Sequence, residues 1–192
     1  MSPNGPDLHS RYVAVGESLH GVALTYKPSA ELTLGSARLE TQALSRVANA
    51  VRRAKPLAMT IEHPKLEATF DQAMASELPA LLARIDALLD AFKKEGLHPR
   101  AVEEILGISS RERLRWTKAC RLPKAVAGSF RAGPLSIYFA MYAASKIAEL
   151  AKNPDVIRSW RDADIARASE TLAEKPQGNS KERELGIDTK PA

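Results

Sequence analysis

The 192-residue chain contains a single cysteine, Cys120, so no disulfide forms within it, which fits a reducing cytoplasm. Aromatic residues make up only 5% of the sequence, whereas 44% is hydrophobic. Alanine and leucine are abundant, and that balance favours helix over sheet. No apolar run approaches the about 18 residues a membrane helix needs, and Met1–Ser10 has neither the basic start nor the apolar middle of a secretory signal. The expectation is therefore a cytoplasmic chain with no membrane partner. His9, His20, His63 and His98 are scattered without metal-ligand spacing, and no glycine loop of the phosphate-cradling type is present. Gly16-Glu17-Ser18 lacks the second glycine of a nucleophile elbow. Glu103 and Glu104 are adjacent, so on a helix they project to different faces and do not form an acid and base pair. No metal, no cofactor and no enzymatic activity are expected.

What the chain does have is clustered positive charge. The net charge is +5 and the isoelectric point about 9.4. Between Arg111 and Arg131 the only acid is Glu112, set against Arg111, Arg113, Arg115, Lys118, Arg121, Lys124 and Arg131. A field of that sign suits a polyanion, although charge runs more often coat a solvated helix. The pattern beneath the charge favours the first reading. Val102, Ile105 and Leu106 form one apolar stripe, Gly107 and Ile108 interrupt it, and Ser109 or Ser110 can cap a second helix over Ser110–Ala119. Two short helices meeting at a tight turn are a helix-turn-helix signature. In the second helix Leu114, with Trp116 or Thr117, is expected on the packed side, and the cations spread over the rest. Arginine's planar fork can meet guanine in the major groove or clamp a phosphate.

Arg121-Leu122-Pro123 stops that helix. Gly128 to Pro134 and the strand-forming Leu135-Ser136-Ile137-Tyr138-Phe139 then read as a small β-hairpin, with Gly128 and Gly133 supplying its turn. Ala144–Lys152 follows as another helix, with Ile147, Leu150 and Ala151 on its apolar side.

Three runs, LGISSRERLRWTKACRLP, GSFRAG and IYFAMYAASKIAELA, resemble the winged helix-turn-helix of MerR-like regulators and the related phage excisionases. The correspondence lies in Leu106 to Ser109, Trp116, Arg121 to Pro123, Arg131 and Tyr142, and covers less than a third of the chain. It implies a module that places the basic helix in the major groove and a wing on the backbone or minor groove. The chain departs from the pattern at Cys120, where glycine is common because a helix C-terminus often needs a left-handed residue.

Elsewhere, Met1–Ser10 has the composition of a disordered segment, and Tyr12–Val15 and Val22–Tyr26 read as two short strands or irregular packing. Leu39–Ala54 has helical spacing. A longer helical region is expected over Lys65–Lys94, bent near Pro79 and closed by Gly96. Within it Leu78, Leu82, Ile85, Leu89 and Phe92 are spaced four, three, four, three; over only about two heptads this suits a helix packed in its own chain somewhat better than the self-association seam of a homodimer, which stays the candidate dimer surface. Asn153-Pro154 starts a short helix through Ile165 that carries Trp160 as core, and a disordered tail follows from about Thr171.

The expected fold is mainly α: residues 11–96 as a mostly helical support or dimerisation region, then 97–168 as a small winged helix-turn-helix module, flanked by disordered 1–10 and 171–192. The expected function is sequence-specific binding of double-stranded DNA by Ser110, Arg111, Arg113, Arg115, Lys118, Arg121, Lys124 and Arg131, as a regulator of transcription. A recombination-directionality accessory factor and a protein-interaction adaptor with a basic surface are the alternatives.

Overall fold

Alternation of apolar and polar residues dictates the first part of the fold. The computed structural model describes residues 8–132 and 135–173, with the backbone alone for 124–132, 135–139 and 171–173. Strands β1 (Val13–Ser18) and β2 (Gly21–Tyr26) form a hairpin, followed by helices α1 (Ala30–Thr33) and α2 (Ala37–Arg53). A second hairpin, β3 (Ala58–Glu62) and β4 (Lys65–Asp71), turns at a cis His63–Pro64 peptide. The four strands make one antiparallel sheet in the order β1-β2-β4-β3. Gly21 sits beside β4 with φ +135°, and a Cβ there would fall 2.3 Å from the Phe70 carbonyl oxygen, so no other residue fits.

One sheet face is apolar by register. Val22 pairs with Phe70, Leu24 with Ala68 and Tyr26 with Leu66, and all six are buried. Helix α3 (Leu78–Lys94), reached through a 3₁₀ turn at Gln72–Ser76, and helix α2 supply the rest of this core. From α2 come Leu39, Ala43, Leu44, Val47, Ala48 and Val51; from α3 come Leu78, Leu82, Ile85, Leu89 and Phe92.

These observations correct three expectations. The fold is α+β, not mainly α: the N-terminal region carries a four-stranded sheet and is not a helical support. Lys65–Asp71 is a strand, not the start of a long helix. Lys, Leu, Glu and Ala are good helix formers, but Leu66, Ala68 and Phe70 alternate with Glu67, Thr69 and Asp71, and burial of one sheet face overrides propensity. The Leu78, Leu82, Ile85, Leu89 and Phe92 stripe is 0–6% exposed. It is spent on this chain's own core, and a homodimer seam through it would require the domain to open.

The chain continues through α4 (Pro99–Leu106), α5 (Ser110–Lys118), the hairpin β5 (Lys124–Ala132) and β6 (Leu135–Tyr142), and α6 (Ala144–Ala151). The β5–β6 register pairs Gly128 with Phe139, so Gly128 lies within a strand and not in the turn; Gly133 and Pro134 lie outside the described residues. A bulge between Lys124 and Val126 precedes the regular ladder. Helix α3 ends at Lys94 with Glu95 as its extended cap, so Gly96 does not close it.

The chain divides into two compact units, one through Lys152 and one from Asn153 on. The second is helix α7 (Pro154–Ala173), longer than the short helix expected there. Of the segments expected to be disordered, 1–7 and 174–192 lie outside the described residues. Ser10 donates a hydrogen bond to Asp86 at 2.6 Å, and Thr171–Ala173 continue α7. Among the described residues no helix is long and apolar enough to cross a membrane.

Tyr26 is 1% exposed and its hydroxyl has no hydrogen-bond partner among the described residues, a buried polar group that costs about 1–3 kcal/mol. Burial also pushes its phenol pKa upward, with the Tyr12 phenol adding to the rise. Tyr26→Phe is expected to raise stability by about 1 kcal/mol, read as a higher urea midpoint with an unchanged slope.

Candidate functional site

Helix α4 is fixed at both ends by local chemistry. His98 caps it, its Nδ1 accepting the Arg100 amide at 3.2 Å, and Pro99 occupies the first turn, where its missing N–H costs nothing. Gly107 closes it with φ +59°, a left-handed conformation that would cost another residue about 1 kcal/mol or more. Two residues later Ser109 caps α5 in a reciprocal box. Its side chain accepts from the Glu112 amide at 3.2 Å, and its own amide donates to the Glu112 carboxylate at 2.7 Å. Such caps contribute about 1 kcal/mol each. Glu112, the only acid of the basic segment, is thereby folded back onto the helix N-terminus.

The two carboxylates of α4 are tethers. Glu104 accepts from the Ser36 hydroxyl and the Ala37 amide, both at 2.7 Å, and so holds α4 against the first turn of α2. Glu103 accepts from Arg113 Nε at 2.7 Å and so holds α4 against α5. Arg113 Nη1 donates to the Tyr142 hydroxyl at 3.0 Å. Thr117 donates to the Arg113 carbonyl at 2.6 Å and lies 2.8 Å from the Tyr142 hydroxyl. With the Thr117 proton already given to that carbonyl, the Tyr142 hydroxyl is the donor between them, and each polar atom in the ring of contacts is satisfied. Tyr142 is itself fixed by a two-way backbone bridge to Leu97, at 2.7 and 3.0 Å.

Burial opposes the ionised form of Glu103, but hydrogen bonds from Arg113 and Ser110 and the charge on Arg113 outweigh it and hold its pKa below the usual carboxylate range. Arg113 shows the reverse balance: burial works against its charge, and its bonds to Glu103 and Tyr142 raise its pKa. This arginine is 12% exposed at its side chain. It faces the protein interior and is not available to read bases.

The two faces of α5 are therefore assigned differently from the expectation. Trp116 (0% exposed) and Thr117, with Arg113, make the packed side. Leu114 is 59% exposed and lies on the outer face, not in the core. Ser110, Arg111, Arg115 and Lys118 are exposed around it, and Arg121 is half-buried beyond the helix end. Arg111 and Lys118 enter no ion pair among the described residues. Cys120 is left-handed at φ +56°. It turns the chain so that the amides of Arg121 and Leu122 reach back to the Trp116 carbonyl, at 2.9 and 3.2 Å, and Leu122 enters the core. The side chains of Lys124 and Arg131 lie outside the described set; in the backbone ladder Lys124 pairs with Tyr142 and Arg131 with Ser136. Among the described residues no three His, Cys, Asp or Glu side chains gather as a metal site.

Sequence reasoning missed Glu103, Glu104 and Tyr142 as the groups that position α5. The i to i+10 spacing of Glu103 and Arg113 across a turn carries no periodic signal, and only the placed helices bring them together.

Two measurements follow from this geometry. Arg113→Met leaves the Glu103 carboxylate without its cation and is expected to cost about 2–3 kcal/mol of stability in denaturant unfolding, whereas Arg111→Ala should stay within about 0.5 kcal/mol. Burial, then the charges of Arg38, Arg100 and Arg113, lower the pKa of His98, and as a cap its ring must keep Nδ1 unprotonated. The stability it contributes is present above about pH 6.5 and is lost as pH falls through the depressed folded-state value. His98→Asn, which retains a capping acceptor, should flatten the stability profile below about pH 6.5. The chain matches no protein-family model, no curated protein and no solved structure.

Proposed function

We propose that this chain is a cytoplasmic, sequence-specific DNA-binding protein, a regulator of transcription that presents the outer face of α5 to the major groove. The observation that carries this reading is the separation of charge on that helix. The one acid nearby, Glu112, is used in the cap, and Arg113 is turned inward by Glu103. The outer face is left with Arg111, Arg115 and Lys118 in one exposed array, while Ser110, though exposed, is bonded to Glu103. An exposed array of one sign, on a short helix set by a tight turn against a second helix, suits a phosphate-lined groove. Arg111 and Arg115 are one turn apart and take the role of base or phosphate contacts; Lys118 and Arg121 take the backbone. The β5–β6 hairpin carries Lys124 and Arg131 as further backbone contacts.

The exposure of Leu114 at the centre of this array favours a second reading, a protein-interaction adaptor. An apolar side chain ringed by cations also fits an acidic partner helix with one apolar anchor.

Selection from random DNA duplexes at about 150 mM salt separates the two. Enrichment of a motif is the outcome expected for a sequence reader, and a palindromic motif would add two-fold symmetric binding. Recovery of weak, salt-sensitive binding with no motif would remove the first reading. On an enriched duplex Arg111→Ala and Arg115→Ala should each weaken binding by about 1–3 kcal/mol, and Lys118→Ala should reduce the salt slope by about one.

A further inference from the structure

A cleft of about 560 Å³ is lined by residues of α1, α2, the end of α3 and α6, and by none of α5. Clefts of about 300–1,000 Å³ are the size that holds small ligands. Its openness has a cause in the sequence. Helix α6 presents Ala144, Ala148 and Ala151, spaced i, i+4, i+7, toward this space, and three methyl groups leave the gap that larger side chains would close. Opposite them Leu34 caps α1 in a left-handed conformation at φ +51°, which costs a leucine about 1–2 kcal/mol. Leu34 is half-buried and lines the cleft with Leu39, Phe92, Leu97 and Met141.

The rim is charged and mostly paired. Arg46 grips Glu95 through both guanidinium nitrogens, one bond at 2.7 Å, and its guanidinium lies 4.7 Å from the centre of the Phe92 ring. Lys93 donates to Glu31 at 2.6 Å. Lys152, also on the rim, is exposed and makes no ion pair among the described residues. The rim therefore carries an excess of one positive charge, placed beside an apolar interior.

We infer that this cleft is a binding site for a small amphipathic carboxylate, with the apolar body against Leu34, Met141 and the alanine face of α6 and the anionic head at Lys152 and Lys93. The cleft is apart from the cationic face of α5, so the inference does not rest on DNA binding. An anion is favoured over a cation because two rim acids, Glu31 and Glu95, face three rim cations, Arg46, Lys93 and Lys152, the last acting on Glu31 only at a distance.

The test is a calorimetric titration of the full chain with decanoate and with decyltrimethylammonium, paired with the methyl NMR signal of Met141. Expected are saturable one-site binding of decanoate, a shift of the Met141 methyl, and binding at least about tenfold weaker for the cationic probe and for decanoate on Lys152→Glu. Ala148→Phe, which fills the cleft, should abolish decanoate binding with the helical circular dichroism retained. Absence of saturable decanoate binding, an unmoved Met141 methyl, or equal affinity for the two probes would overturn the proposal. So would undiminished binding by the Lys152→Glu variant, which alters only an exposed side chain and keeps the test decisive should Ala148→Phe fail to fold.

Discussion

The position of α5 depends on two adjacent carboxylates. Glu103 and Glu104 leave α4 in different directions, because neighbouring residues on an α-helix are about 100° apart, and each finds a different partner. Glu104 takes the Ser36 hydroxyl and an amide at the start of α2, where the helix dipole favours negative charge. Glu103 takes Arg113. One turn of α4 thus joins the sheet-and-helix core to the basic helix. Exposed ion pairs contribute little, but the Glu103–Arg113 pair is 19% and 12% exposed at its side chains. Its worth lies in the penalty for separating the partners, since either charge left alone is poorly solvated. The Tyr142 hydroxyl, anchored by the Leu97 bridge, extends the same network to the end of the β5–β6 hairpin.

That network also decides which cations face outward. Before folding, Arg113 is one of seven similar cations in the basic stretch. After folding it is a structural group, and the exposed cations of α5 are Arg111, Arg115 and Lys118 around Leu114. If this face meets DNA, an exposed leucine is suited to a thymine methyl, the apolar feature of the major groove. If it meets a protein, the same leucine is the anchor.

Much of the second half was legible because its signals are local. Ser109 or Ser110 is readable as the cap of α5 and Gly107 as the break after α4, whereas the reciprocal bond from Glu112 and the left-handed Cys120 in a place where the resembled family has glycine come from the structure. The first half was harder. In β4 good helix formers sit in a strand whose alternation spans only Leu66, Ala68 and Phe70, and β3, with Ala58, Thr60 and Glu62 on one side, has little signal of its own. The seam-like spacing of Leu78 to Phe92 was read correctly as one face of a helix, but spacing does not say whether a face is covered by its own sheet or by another copy. Leu114 was misplaced for a related reason. Apolar character alone put it inside, whereas Arg113, Trp116 and Thr117 needed that side for Tyr142 and Glu103, and the helix has only one inner face.

Left-handed backbone at non-glycine residues marks where the chain accepts local cost. It occurs at Leu34, Lys55 and Cys120. Cys120 has a visible return, since its turn seats Leu122 at 1% exposure under the Trp116 carbonyl. Burying a leucine contributes about 1.5–3 kcal/mol, more than the strain removes. Leu34 has a return of the same kind: its turn lets the Ser36 amide reach the Thr33 carbonyl at 2.9 Å and seats Ser36, 1% exposed, as the cap of α2 with its hydroxyl on Glu104.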